Sequence, residues 1–449
     1  MRPYVDYSDR DIPFVDSLPT HWEIKPLYVL CDFQQGKAHE PYVDDDGQYI
    51  CVNSRYVSTA GAKVKFCTEN LTPARIDDVL MVMSDLPNGR ALAKGYYVSS
   101  DKSYAVNQRV CAISAKGVDA RFLFYQLDRN IHFLSLDDGA NQTHLSNSDF
   151  LKFPVLLPTS KEQRAIASFL DHETAKIDTL IEKQQQLIKL LKEKRQAMIS
   201  HAVTKGLNPD APMKGSGVEW LGEVPEGWLQ PQLGQISLSK CDGPFGSGLK
   251  SEHYVDKGAL VVRLQNIKLG WYESGVGAFI DEQYFKNTLS KHSVVEGDLL
   301  VAGLGDPRNP VGRACVAPNG IAPALVKADC FRFTLDVDKV EPEFVAAQLS
   351  VSSWADAGSL ANGSTRARIP LYTMSTRTVA FGTLEEQRAI VQELSRINES
   401  FTSLSSKSLE AIALLQERRT ALISAAVTGK IDVRNWQPPK SDSTTSTDA

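Results

Sequence analysis

The 449-residue chain contains no apolar run approaching the ~18 residues a membrane-spanning helix needs, so a helical membrane protein is not expected. Its first residues, Met1 to Arg10, are polar and carry none of the hydrophobic stretch of a secretory signal. Seven cysteines (Cys31, Cys51, Cys67, Cys111, Cys241, Cys315, Cys330) are dispersed without a Cys-x-x-Cys pair. That argues against a disulfide frame or a zinc site and for free thiols in a reducing cytoplasm, the expected location. Eight histidines show no metal-ligand spacing, so no metal site is expected. There is no Gly-x-Ser-x-Gly elbow, no Rossmann-type glycine loop, and no Asn/Asp-Pro-Pro-aromatic tetrapeptide of the amino-methyltransferase kind. These absences favour a binding protein over a catalyst. Positive charge is also short: the net charge is −5. A protein that coats nucleic acid nonspecifically is thereby disfavoured, whereas one that touches DNA through local basic patches is not.

What the chain has is a long internal repeat. Glu-Gln-Arg-Ala-Ile occurs at Glu162 to Ile166 and again, 224 residues later, at Glu386 to Ile390. The register continues without a gap: Lys194-Arg195 matches Arg418-Arg419, Ile199-Ser200 matches Ile423-Ser424, and Ala202-Val203-Thr204 matches Ala426-Val427-Thr428. A repeat of this length outranks any single motif and predicts two copies of one unit, each a globular part followed by a helix.

From Lys161 to about Lys205 there is neither Pro nor Gly, and Leu, Ile, Lys, Gln and Glu dominate. Ile166, Leu170, Ile177, Leu180, Leu187, Leu191 and Met198 recur at steps of four and three, a heptad pattern. A helix of ~45 residues would be roughly 65–70 Å long, which suits a coiled coil or spacer. The second copy carries Ile390, Leu394, Ile397, Phe401, Leu404, Ser408, Ala411, Leu415, Arg418 and Leu422 in the same places. Two long helices with matching seams most economically bury them against each other, antiparallel, with one globular domain before each. Glycine at Gly206 and Gly429 marks the two C-termini. The expected division is 1–158 for the first globular domain, 159–205 for the first helix, and 206–382 for a linker and second domain. The second helix takes 383–430 and a disordered tail 431–449.

The globular halves repeat more loosely. Pro19-Thr20-His21-Trp22 aligns with Pro225-Glu226-Gly227-Trp228, Asp78-Val79-Leu80 with Asp298-Leu299-Leu300, and Gly89-Arg90-Ala91 with Gly312-Arg313-Ala314. Short β-branched runs (259–263, 298–302, 108–113) read as strands, and 121–127 and 343–349 as short helices. Each half is thus a mixed α/β, or α+β, domain whose loops diverge. The segment 242–251 resembles a phosphate loop, but Leu249 separates Gly248 from Lys250 and no clear hydrophobic strand precedes it, so a nucleotide-binding enzyme is only an alternative. A protein-binding adaptor is another. More promising are the loops 139–144 and 363–368, at equivalent places before each helix. Arg, Asn and Gln offer bidentate geometry for base edges, and Lys and Arg supply phosphate contacts. Candidate DNA-binding residues are Lys37, Arg55, Arg90, Asn141, Gln142, His144, Lys250, Arg263, Gln265, Asn266, Arg308, Arg313, Arg366 and Arg368.

Several stretches together resemble the specificity subunit of type I restriction-modification systems over nearly the whole length. They are Gly206-Leu207-Asn208-Pro209-Asp210-Ala211-Pro212-Met213-Lys214, Glu219-Trp220-Leu221-Gly222, Val224-Pro225-Glu226-Gly227-Trp228, Asp242 to Gly248, Arg263 to Ile267, and the paired Glu-Gln-Arg helices. The resemblance implies two target-recognition domains separated by two long antiparallel coiled-coil helices with pseudo-twofold symmetry. It implies a bipartite double-stranded DNA target with the helices as a ruler for its spacer. Catalysis would belong to partners: two adenine-N6 methyltransferase subunits using S-adenosylmethionine, and restriction subunits using ATP and magnesium, with no cofactor in this chain. The first domain departs from the pattern, having Cys31-Asp32-Phe33-Gln34-Gln35-Gly36-Lys37 where the second has Asp242 to Gly248. The loop at Gly139 also lacks the basic residues of its counterpart at Gly363, so the two domains are expected to read different sequences.

Overall fold

The structure, a computed structural model, describes residues 2–12, 14–86, 91–137, 139, 141–356 and 367–438. Arg90, Arg366 and the tail from 439 onward lie outside the described residues. The chain forms two compact units: Met1–Gln184 with Glu410–Ala449, and Gln185–Leu409. The boundary passes through both long helices, Ser160–Lys205 and Leu384–Val427, so each unit owns the start of one and the end of the other.

In the first unit a four-stranded sheet has the order Gly95–Tyr97, Asp78–Val82, Val110–Ala115, Cys31–Gln35. A second sheet runs Phe66–Cys67, Tyr49–Val52, Tyr104–Val106, Pro73–Ala74, with Tyr104 opposite Ile50 in a parallel pair. The second unit repeats both. One sheet is Ser237–Asp242, Cys330–Leu335, Leu299–Ala302, Ala314–Val316; the other centres on the parallel pair Ala259–Val262 and Ala324–Val326. Strands buried on both faces explain the continuous apolar runs: every residue of Asp78–Val82 and of Leu299–Ala302 is buried. The aligned aspartates hold the same turn in each copy. Asp78 accepts hydrogen bonds from Ser114 Oγ and the Arg75 amide, and Asp298 from Thr334 Oγ1 and the Val295 amide.

The repeated pentapeptide docks each helix on its own domain. Glu162 sits in a capping arrangement with Thr159, and the Glu386 amide donates to Thr383 Oγ1 in the second copy. Glu162 is 4% exposed; burial opposes its ionisation, but hydrogen bonds from His21 and Thr159 outweigh that and hold its carboxyl below the usual range. Gln163 accepts from the Asp119 amide and donates to the Pro158 carbonyl. Gln387 likewise accepts from the Glu341 amide and donates to the Lys339 and Gly382 carbonyls. Ile166 and Ile390 are fully buried beside them.

Within each unit the helix segments pair antiparallel. In the first, Ile166 and Leu170 share a core with Leu422 and Ala426, and Arg419 forms an ion pair with Asp178 at 3.0 Å. In the second, Ala202 and Val203 share a core with Ile390 and Leu394, and Arg195 Nε donates to Asn398 Oδ1 at 2.8 Å. At both ends of the seam the heptad positions are sheltered: Ile166, Leu170, Ile177, Ile390, Leu394, Ile397 and Phe401 are at most 8% exposed, and Leu191 and Leu415 are half-buried. The heptad reading needs correcting in the middle, where Leu180, Leu187 and Leu404 are 47%, 43% and 45% exposed. The sheltered positions there are Ile181, Gln184, Ile188 and Leu191 on one helix and Ser408, Ile412 and Leu415 on the other. Ten steps carry the sheltered face from Ile166 to Ala202, about 3.6 residues each, the period of a straight helix; a 3.5-residue repeat drifts off it.

Two further expectations change. The stretch 207–217, which reads as a linker, contains a strand, since Met213–Gly215 pairs with Glu223–Pro225 just as Tyr7–Ile12 pairs with Val15–Pro19. The described part of the tail is not disordered. Val433 is 1% exposed, Trp436 packs edge-on against Phe169 at 5.4 Å, and the Asp432 amide donates to the Arg2 carbonyl. Burying Ile431, Val433 and Trp436 offsets the entropy of ordering the segment. Among the described residues no helix is long and apolar enough to cross a membrane.

Candidate nucleic-acid interface

In the first unit Lys37, Arg55, Asn141, Gln142 and His144 are exposed. Gln142 Nε2 donates to Ser84 Oγ at 2.9 Å, and Thr143–His144 pairs with Ser84–Asp85. In the second unit Arg368 bridges to Leu304 in the same antiparallel manner. His144 and Arg368, aligned by the repeat, therefore occupy equivalent places on equivalent frames and carry different chemistry.

Arg368 is half exposed and anchored on two sides. Its Nε lies 2.8 Å from Asp329 Oδ1, and its guanidinium lies over the exposed Phe245 ring, 5.5 Å from the centroid. Asp242, at the start of the glycine-rich loop, has its carboxyl pushed up to about 6, first by burial and further by the charge of Asp329, against the amide of Gly243. Gly243 cannot be larger, since a Cβ there would lie 2.1 Å from the Lys327 carbonyl carbon. Gly36 is its counterpart, where a Cβ would lie 2.2 Å from the Asn107 oxygen. The first domain thus keeps one position of the loop motif that its sequence otherwise lacks. The strand that leads into the glycine-rich loop, Ser237–Asp242, is polar and largely exposed and not a buried hydrophobic one. Only short 3-10 turns, Gly246–Gly248 and Ser251–His253, follow it, so no helix N-terminus faces the loop as a phosphate site requires. Lys250 is exposed and lies 3.5 Å from Glu252.

The remaining candidates separate by burial. Gln265 and Arg308 are exposed at the surface. Arg263 is half-buried, donates to the Val276 carbonyl at 2.7 Å, and has a buried Nε without a partner. Two candidates are corrected. Asn266 is 3% exposed and serves the backbone, accepting from the Arg263 amide and donating to the Glu273 and Ser274 carbonyls. Arg313 is 4% exposed and, among the described residues, donates only to backbone carbonyls. Neither presents its polar atoms to a ligand. Asp329 and Phe245 fix Arg368 and are not among the candidates, although Phe245 lies within the Asp242 to Gly248 motif. Among the described residues no group of three or more His, Cys, Asp or Glu side chains could hold a metal ion.

Residues 19–190 match the family model of the type I restriction modification DNA specificity domain. The chain is 23% identical over 351 residues to the type I restriction enzyme EcoBI specificity subunit of Escherichia coli, covering 75% of this chain and 71% of the relative. It is 25% identical over 190 residues to the EcoKI specificity subunit of Escherichia coli strain K12, covering 41% of this chain and 37% of that relative. Its fold is shared with a chain from a structure of complex assembly and conformational transition in the type I R-M system. That match has a TM-score of 0.64 at 17% identity and covers 92% of this chain and 99% of the other. The HsdS subunit of Thermoanaerobacter tengcongensis superposes with a TM-score of 0.52 at 16% identity, covering 92% and 98%. Residues 19–190 thus match the specificity-domain model, the chain is similar over most of its length to type I restriction enzyme specificity subunits, and its fold is the one seen in two solved chains of such systems.

Proposed function

We propose that each globular domain reads one half of a bipartite double-stranded DNA target, and that the paired helices hold the two readers at a set spacing. The carrying observation is the duplicated frame with unlike side chains at its equivalent loop positions, His144 in one copy and Arg368 in the other. A shared scaffold with divergent polar loops suits two modules that bind the same polymer and discriminate different base edges. The chain itself is the non-catalytic member of its complex. Its partners are two adenine-N6 methyltransferase subunits that carry S-adenosylmethionine, with restriction subunits that use ATP and magnesium.

In the DNA interface, Arg368, Arg308, Arg263 and Gln265 serve the second half-site, and Lys37, Arg55, Asn141, Gln142 and His144 the first. Footprinting of the chain assembled with its methyltransferase partner tests the reading. Two protected blocks separated by a sequence-indifferent gap are expected, and one short contiguous block would overturn it.

A further inference from the structure

Arg313 is a cation placed where a surface-reading residue should not be. Its Nε donates to the Ile267 carbonyl at 2.7 Å and its Nη2 to the Leu264 carbonyl at 2.8 Å. Its Nη1 faces the carbonyls of Leu304, Asn309 and Pro310 at 3.3, 3.2 and 3.1 Å. Five acceptors thus surround the five N–H donors of one planar group. No carboxylate forms an ion pair with it among the described residues; carbonyl dipoles make all the direct contacts with the buried charge, and the Asp306 carboxylate adds a longer-range attraction.

Those carbonyls belong to two separate segments, 264–267 and 304–310. The first lies next to Arg263 and includes Gln265, and the second includes Arg308. The second is itself tied to a third segment by main-chain bonds: the Gly305 amide donates to Ala367 at 3.0 Å, and the Ile369 amide donates to Gly303 at 2.9 Å. Arg368 is carried on that third segment and reaches Phe245 and Asp329. Four exposed or half-exposed candidate readers therefore hang on backbone whose relative placement is set around one guanidinium.

A buried charge is a poor way to gain stability, because desolvation consumes most of the attraction, but it fixes geometry well. The planar fork accepts carbonyls only at set directions, so it determines both the separation and the relative rotation of the loops. A lysine ammonium offers three donors from a single point and cannot span the same five acceptors.

We infer that Arg313 is the positioning residue of the second domain's reading surface, setting which bases its half-site accepts without touching DNA itself. The inference rests on the reading that this domain contacts DNA, and it adds a specificity determinant inside the domain instead of on its face.

The test uses the full chain assembled with its methyltransferase partner, carrying Arg313→Lys, and measures binding to target duplexes with single-base changes in either half. Discrimination in the half read by the second domain should fall roughly 10- to 100-fold, the range set by one or two lost base preferences, while discrimination in the other half stays as in the wild type. Amide hydrogen exchange should quicken in 263–267 and 303–310 with the rest of the second unit unchanged. Unaltered discrimination in that half, or equal loss in both halves, overturns the inference.

Should Arg313→Lys fail to accumulate as folded protein, Asp306→Ala replaces it. Asp306 is exposed and accepts hydrogen bonds from the Arg308 and Asn309 amides, so its loss loosens the same turn from outside. Relaxed reading confined to the one half supports the inference, and unchanged reading refutes it. A wild-type complex that protects one contiguous site would instead sink the two-domain reading. Hydrogen exchange would then decide alone whether Arg313 holds the loops.

Discussion

Gln348 joins the first long helix to the second domain, and replacing it with Met should destabilise that domain severely. The side chain is fully buried. Its Nε2 donates to the Val203 carbonyl at 2.6 Å and the Ala380 carbonyl at 2.8 Å, and its Oε1 accepts from the Ala380 amide at 2.8 Å. Met keeps volume and flexibility but supplies none of these bonds, so the cost is electrostatic and not a cavity. The Ala380 N–H is left unpaired and two buried carbonyls each lose a donor. At about 1–3 kcal/mol per stranded group, with carbonyls at the lower end, the loss is roughly 3–5 kcal/mol. A domain worth about 5–15 kcal/mol would then be close to failing at physiological temperature. Gln126, its counterpart, clamps Leu156 by two bonds, so Gln126→Met should cost less, roughly 2–3 kcal/mol, and act on the first domain. Urea unfolding followed by tryptophan fluorescence gives the magnitudes, and amide hydrogen exchange locates them. A loss under 1 kcal/mol for Gln348→Met, or one located in the first domain, refutes the reasoning.

The helix seam predicts that Ile177→Ala, at a 4% exposed position, costs about 2–4 kcal/mol while Leu180→Ala, at 47%, stays within about 0.5 kcal/mol; thermal melts of the two variants should separate clearly. Asp242 ionises less readily in the fold than in the unfolded chain, so its contribution to stability is lost as pH rises from about 3.8 to about 6. Asp242→Asn should remove that loss, a gain over wild type on the order of 1 kcal/mol above pH 6 after solvent screening, read from urea midpoints across pH; parallel profiles would contradict it. Arg368→Ala should weaken DNA binding and lower the slope of log affinity against log salt by about 1, whereas Arg368→Lys should retain the slope. An unchanged slope for the alanine variant would remove Arg368 from the phosphate contacts.

The two long helices were legible because 45 residues without Pro or Gly leave little else for the chain to form, and the duplication was legible from Glu-Gln-Arg-Ala-Ile alone. The meaning of that pentapeptide was not. Read as the opening of a coiled coil, it is in fact a docking device, with Glu capping the helix, Gln bonded to backbone and Ile in the core. The phase of the seam was lost in the middle because a 3.5-residue repeat and a 3.6-residue helix diverge by about 20° per heptad, enough to turn Leu180 and Leu187 outward. Residue type misled most at Asn266 and Arg313. Both look like ideal base and phosphate readers, and both are buried donors to main-chain carbonyls. Which polar side chain turns inward depends on where loop carbonyls converge: at Arg313 two of the five lie 46 and 49 residues back in sequence, and at Asn266 the loop folds back 7 and 8 residues on. The ordered 431–438 segment was missed for a similar reason, since its apolar partners, Phe169 among them, are distant in sequence.

The central claim, one half-site per domain, is tested most directly by exchanging a single globular half for that of a relative and mapping methylated adenines across the genome of cells expressing the assembled complex. The account predicts that one half of the methylated target changes, while the other half and the spacer stay. A target that is contiguous, unchanged, or altered in both halves would contradict it.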